Sequence, residues 1–170
     1  IVETRKHKAL EFVLNNVMSN LSNEWNLQIF HGIDNIEYIQ NIINNNSLLS
    51  SIKNKITLSN LNIKEVTQED SSKIMLSESL WESVIGEIVL YFECDSLLCP
   101  NSKYKVDDFI NFDYIGGYWG NGLYSLDEKY PFVMNGGISI RKKSFMLDII
   151  KNKWETYIEK GGNPCEDYFV

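Results

Sequence analysis

The sequence predicts an α/β domain built on a mostly parallel mixed central sheet flanked by helices. Two observations carry this. Over the first 95 residues, segments of strand character alternate four times with segments of helical spacing. The last strand of that series, Glu87-Ile88-Val89-Leu90-Tyr91-Phe92, is apolar along nearly its whole length, as a strand covered on both faces in the middle of a parallel sheet would be.

The elements follow in order. Ile1-Val2 reads as the end of a strand. Residues 6–21 carry Leu10, Val13, Leu14, Val17, Met18 and Leu21 at three- and four-residue spacing, the stripe of an amphipathic helix. Leu27 to Phe30 is a short strand ending at His31-Gly32, and residues 34–43 form a second helix through Ile36, Ile39, Ile42 and Ile43. The polar run Asn44-Asn45-Asn46-Ser47 ends it. Residues 55–63 alternate apolar and polar, as a strand does, and residues 71–84 form a third helix carrying Met75, Leu80, Trp81 and Val84. After residue 95 the pattern loosens. Val106 to Phe112 reads as a short helix, 138–141 as a strand and Phe145 to Ile158 as a helix. The whole is a Rossmann-like pattern with a looser second half, divided at residues 1–96 and 97–170.

Composition narrows the function classes. At 170 residues the chain is long enough to bury a core, and 44% apolar content argues against disorder. No apolar run approaches the roughly 18 residues that span a bilayer. The chain begins Ile-Val-Glu-Thr-Arg, without Met or the regions of a signal peptide, so a boundary within a longer protein is the expectation. A net charge of −7 with no basic stripe is unsuited to nucleic acid. Such a chain can hold phosphates only with a local correction, and a divalent cation is the obvious one. Cys94, Cys99 and Cys165 fit neither a zinc pattern nor a disulfide framework, so free thiols in a reducing compartment are expected, in the cytoplasm or a viral factory; a Cys94–Cys99 pair is the alternative. The two histidines, His7 and His31, lie near no second cluster of ligand type in the sequence, so no histidine-based metal site is expected.

Four segments carry possible chemistry. The apolar strand runs into Glu93-Cys94-Asp95-Ser96, and strand alternation would place Glu93 and Asp95 on one side. Ligands of open α/β sheets bind beyond the carboxyl ends of strands, and Mg²⁺ or Mn²⁺ takes one or two carboxylates there together with phosphates. The plainer reading is a strand that ends in solvated acids. Asn135-Gly136-Gly137 lets a backbone approach a ligand closely and offers an amide to sugar hydroxyls, or is simply a hairpin turn. Glu166-Asp167 after Gly161-Gly162 offers a general base, or the acidic start of a helix. Glu3-Thr4-Arg5 closes the first strand, where Arg5 can meet a phosphate or a base, or cap the next helix. The aromatics Tyr114, Tyr118, Trp119, Tyr124, Tyr130 and Phe132 surround glycines, as in a saccharide site or a loop core.

Taken in order, these pieces resemble one family. They are Val2-Glu3-Thr4-Arg5, Asn16-Val17-Met18, Trp25, Leu80-Trp81, Glu93-Cys94-Asp95-Ser96, Leu98-Cys99, Asp107-Asp108-Phe109, Asp113-Tyr114-Ile115-Gly116, Asn135-Gly136-Gly137-Ile138-Ser139-Ile140-Arg141 and Glu166-Asp167. The chain resembles a glycosyltransferase-like family of unknown specificity, first catalogued as a domain of unknown function and seen in giant viruses, fungi and algae. The resemblance implies a GT-A-like fold with a DxD-type metal motif, in which Asp95 matches the last acid and Glu93 stands at the first. It implies Mn²⁺ or Mg²⁺, a nucleoside diphosphate sugar donor, usually UDP-linked, and a hydroxyl acceptor on a glycan, protein or lipid. It places Asp95 at the donor, Asn135, Gly136 and Gly137 at the border of the donor and acceptor sugars, and Glu166 or Asp167 as the base of an inverting transfer. Glu3, Thr4 and Arg5, at the end of the first strand, are expected at the nucleotide. A retaining transfer stays open. So do a nucleotidyltransferase or pyrophosphorylase, although Thr4-Arg5-Lys6-His7-Lys8 lacks the glycines usual there, and a catalytically silent carbohydrate-binding domain.

Overall fold

A computed structural model describes residues 1–118, 134–162 and 169. The chain forms two units: residues 1–66 with 93–108, and residues 67–92 with 109–170.

The first unit holds a parallel sheet of β1 (Val2–Glu3), β2 (Leu27–His31) and β3 (Ile56–Asn60) in the order β1-β2-β3. Val2 pairs with Phe30 and Leu27 with Ile56. Parallel neighbours need a crossover, and helices supply it. Between β1 and β2 lies α1 (Leu10–Asn20), whose Leu10, Val13, Leu14 and Val17 are buried as their spacing requires. Between β2 and β3 lie α2 (Ile36–Asn45) and α3 (Ser47–Ser51). The expected polar break after α2 is itself a cap: the Asn46 side chain accepts from Leu49 N at 3.1 Å and starts α3. Leu10, Leu14, Ile29, Ile39 and Leu49 are fully buried and form the centre of this unit's core.

The second unit is built on an antiparallel sheet. Its elements are α4 (Gln68–Met75), α5 (Glu78–Ser83), β4 (Ile88–Phe92), β5 (Tyr114–Tyr118), β6 (Met134–Lys142) and α6 (Lys143–Glu159). The sheet order is β4-β6-β5. The helix expected over 71–84 is two helices, because Ser77 caps the second by accepting from Leu80 N at 3.4 Å. Trp81 is 1% exposed, and its indole N–H donates to Met75 O at 2.7 Å.

The architecture is therefore mixed α/β, with one parallel and one antiparallel sheet among the described residues. This corrects the expectation for Glu87–Phe92. That strand was placed at the centre of a parallel sheet, but β4 lies beside β6 and runs antiparallel to it, with Ile88, Val89 and Leu90 only half-buried. An apolar run reports how much of a strand is covered; it carries no information on the direction of its neighbour. No helix among the described residues is long and apolar enough to cross a membrane.

Candidate functional site

Ligands of parallel α/β sheets collect where the strands end, and in the first unit β1 ends at Glu3-Thr4-Arg5. Glu3 is 3% exposed, a costly place for a carboxylate unless it is paired. Arg5 supplies the pairing. Its backbone N–H and Nε–H both donate to Glu3 Oε1, at 2.8 and 2.9 Å, and Nη2 donates to Oε2 at 2.9 Å. Burial alone would raise the Glu3 carboxyl, but hydrogen bonds from the Arg5 side chain, the Arg5 backbone and the Cys94 thiol hold it below its ordinary value. The Arg5 side chain is 52% exposed, so Glu3 presents a guanidinium to solvent at the carboxyl end of β1. Thr4 is buried, and its Oγ1 accepts from Val66 N at 2.9 Å.

Asn35 fastens this strand end from below. It is 1% exposed; its Nδ2 donates to Glu3 O at 2.8 Å and Arg5 O at 3.1 Å, and its Oδ1 accepts from Gly32 N at 2.9 Å. Gly32 must be glycine, since a Cβ there would meet Ile63 O and Lys64 O at 2.8 Å. Sequence reading missed Asn35; the one signal available was an Asn at the cap position just ahead of the apolar stripe of α2.

The acidic segment comes to the same place. β4 ends at Phe92, and Glu93 to Ser96 make a turn closed by Ser96 N donating to Glu93 O at 3.1 Å. Within that turn Cys94 is buried, Asp95 is exposed and Glu93 is half-buried. Burial first, then the hydrogen bond to Glu3 and the Glu3 charge, push the Cys94 thiol well above its ordinary value, so it remains protonated as a donor. The Cys94 sulfur lies within 4.8 Å of a Glu3 carboxylate oxygen, so the turn comes to the end of β1, some ninety residues away in sequence. Downstream, Asn16 grips the Leu98 peptide at both ends: its Nδ2 donates to Leu98 O at 3.1 Å and its Oδ1 accepts from Leu98 N at 2.8 Å. Trp25 Nε1 donates to Asp107 Oδ1 at 2.8 Å. Cys94 and Cys99 are free thiols.

His7, which the sequence placed near no partner, lies in the loop after β1. Glu3, His7 and Cys94 each offer a potential ligand atom, all within 4.8 Å of one another. His7 Nδ1 accepts from Ala9 N at 3.2 Å, and Tyr38 OH donates to His7 O at 2.9 Å.

Asn135, Gly136 and Gly137 belong to β6 in the second unit rather than to a hairpin turn. Asn135 Oδ1 accepts from Gly137 N at 2.9 Å. The pairing with β5 shifts register between Gly116 and Gly117, and a Cβ on Gly116 would lie 2.5 Å from Asn135 O. Arg141 shapes this bend. It is fully buried, donates through Nη2 to Gly136 O at 3.0 Å and through Nε to Ser139 Oγ at 2.8 Å, and its guanidinium lies 4.9 to 5.9 Å from the ring centres of Tyr91, Tyr114 and Trp81. Glu166 and Asp167 lie outside the described residues, as do Trp119, Tyr124, Tyr130 and Phe132.

A family model described as a protein of unknown function (DUF5672) matches residues 55–170. Searches of curated proteins and of solved structures found no match.

Proposed function

The chain belongs to the DUF5672 family, whose members are described as proteins of unknown function, and we propose that it is a metal-dependent glycosyltransferase of GT-A-like fold. One observation carries the proposal. The Cys94 sulfur lies within 4.8 Å of the Glu3 carboxylate, which holds the half-exposed Arg5 at the carboxyl end of β1, and the exposed Asp95 follows Cys94 directly in the chain. A cationic fork and a carboxylate at the edge of a parallel sheet suit the two needs of a nucleoside diphosphate, direct charge neutralisation and a cation.

The roles divide by chemistry. Arg5 has about five N–H donors, and Glu3 takes two of its side-chain donors, so the rest can meet a diphosphate oxygen or a base. Glu3 and Asn35 fix where Arg5 stands. The exposed Asp95 carboxylate fits Mn²⁺ or Mg²⁺, which take one or two protein carboxylates and fill their remaining positions with phosphates and water; half-buried Glu93 stands two residues away in the same turn. Such a cation, when bound, supplies neutralisation of the charge that grows on the departing nucleoside diphosphate. Asn135 and the Gly136-Gly137 backbone are proposed to border the sugar. Glu166 or Asp167 is proposed as the base that deprotonates the acceptor hydroxyl, giving inversion.

The test is thermal stability with UDP, with and without Mn²⁺. Ligand at a hundred times its Kd contributes about 2.7 kcal/mol, which raises the melting temperature of a chain this size by roughly 5 to 10 °C. Asp95→Ala removes the Mn²⁺-dependent part of the shift and leaves the unliganded melting temperature unchanged. Should Asp95→Ala respond to UDP and Mn²⁺ as the parent does, the metal assignment is wrong.

A further inference from the structure

We infer that Glu3, His7 and Cys94 form a site for one thiophilic divalent cation of the Zn²⁺ kind, separate from any Mn²⁺ or Mg²⁺ at Asp95. The donor set is mixed: a thiol sulfur, an imidazole nitrogen and a carboxylate oxygen, all within 4.8 Å of one another. Glu3 and Cys94 are buried and His7 is half-buried, so two of the three donors are already ordered by the fold.

The chemistry selects the metal. Thiolate and imidazole favour Zn²⁺, whereas Mg²⁺ and Mn²⁺ favour oxygen alone. Three protein ligands with a fourth position left to water is a recurrent zinc arrangement. Zinc bonds of roughly 2.0 to 2.3 Å in a tetrahedron put ligand atoms about 3.5 Å apart. The three donors, all within 4.8 Å of one another, therefore need to draw in by little more than about an ångström at most.

The existing contacts are compatible with this. A carboxylate has about four lone-pair positions. Arg5 occupies three of those on Glu3, and the Cys94 sulfur lies within 4.8 Å of a Glu3 carboxylate oxygen. When the cation binds, the thiol proton leaves to buffer, which frees the sulfur. His7 gives up its 3.2 Å contact with Ala9 whichever nitrogen binds, since a neutral imidazole has only one acceptor nitrogen. Asp95 takes no part and the readout is Zn²⁺ binding without nucleotide, so failure of this site and failure of the glycosyltransferase reading are distinguishable although both use Glu3 and Cys94.

The experiment is a Zn²⁺ titration of the 170-residue chain, without nucleotide, in competition with a chromogenic chelator. The expected result is one Zn²⁺ per chain, a raised melting temperature on binding, and no displacement by excess Mg²⁺. Cys94→Ser and His7→Ala each weaken the site by at least about tenfold, while Asp95→Ala binds Zn²⁺ as the parent does. Because Cys94 is buried, Cys94→Ser can lower stability by itself; the half-buried His7 keeps the test decisive. Parent-like Zn²⁺ affinity in His7→Ala, loss of binding in Asp95→Ala, or no stoichiometric binding by the parent overturns the inference.

Discussion

Asn35→Ala tests whether the end of β1 is held as described. The side chain makes three buried or part-buried hydrogen bonds: from Gly32 N at 2.9 Å, and to the carbonyls of Glu3 and Arg5 at 2.8 and 3.1 Å. Alanine removes all three and supplies no substitute, and the 1% exposure of the site leaves little room for water to replace them. At about 1 kcal/mol net per bond, the loss is about 3 kcal/mol. Asn35→Asp is the sharper variant. It keeps the acceptor for Gly32 N but turns carboxylate oxygens toward two carbonyl oxygens and buries a charge, so it costs at least as much. Urea denaturation followed by far-ultraviolet circular dichroism measures this as a lower midpoint at constant slope. Arg5 is displaced together with its backbone, so the UDP binding proposed for it is expected to weaken even under conditions where the variant is fully folded. If both variants stay within about 1 kcal/mol of the parent, Asn35 does not carry the strand end, and the account of how Arg5 is presented fails with it.

Three further substitutions probe the second unit. Trp81→Ala removes a fully buried ring and its bond to Met75 O, and costs about 4 kcal/mol; a midpoint shift below about 1.5 kcal/mol contradicts the packing described. Gly116→Ala puts a methyl 2.5 Å from Asn135 O and 3.2 Å from Met134 Cβ, so β5 and β6 must separate at the bulge. The expected cost is about 2 kcal/mol, with faster amide exchange confined to those two strands, whereas Gly117→Ala, whose nearest contact would be 3.9 Å, has a smaller effect.

What the sequence made legible is what periodicity encodes. The stripe Leu10, Val13, Leu14, Val17 marks α1 because burial repeats with the helical turn, and the strand at Leu27–Phe30 is found by its residue types. The parallel pairing of β1, β2 and β3 follows from helices lying between them. Features set by one side chain acting at a distance were not legible. Asn35 reaches Glu3 and Arg5 across thirty or more positions, and the local pattern marks it only as a helix-cap position, not as a partner of the first strand. Arg141 was read only as part of a motif; its cage of Trp81, Tyr91 and Tyr114 is assembled from three separate segments. His7 looked solitary because Cys94 is far away in sequence, although Glu3, four residues before it, was a visible companion. Ser77 divides a helix whose apolar spacing runs on almost without interruption, so a single capping hydroxyl outweighed the stripe.

The acidic segment shows most clearly where a local rule stops applying. Strand alternation would set Glu93 and Asp95 together on one side and Cys94 on the other, which makes the two acids equivalent. The strand ends at Phe92, and alternation has no force within a turn. There the residue with the strongest reason to be inside is the thiol, because free cysteine is among the most buried side chains and has a buried carboxylate to bond to. Its burial leaves the neighbouring carboxylate outside. The exposure of Asp95 is thus a consequence of the anchoring of Cys94, and a change at Cys94 that lengthens or repels the contact with Glu3 moves Asp95 without touching it. Cysteine at this position is then a requirement of the turn as much as of any metal, and the Zn²⁺ titration of His7→Ala, which leaves the thiol in place, separates the two.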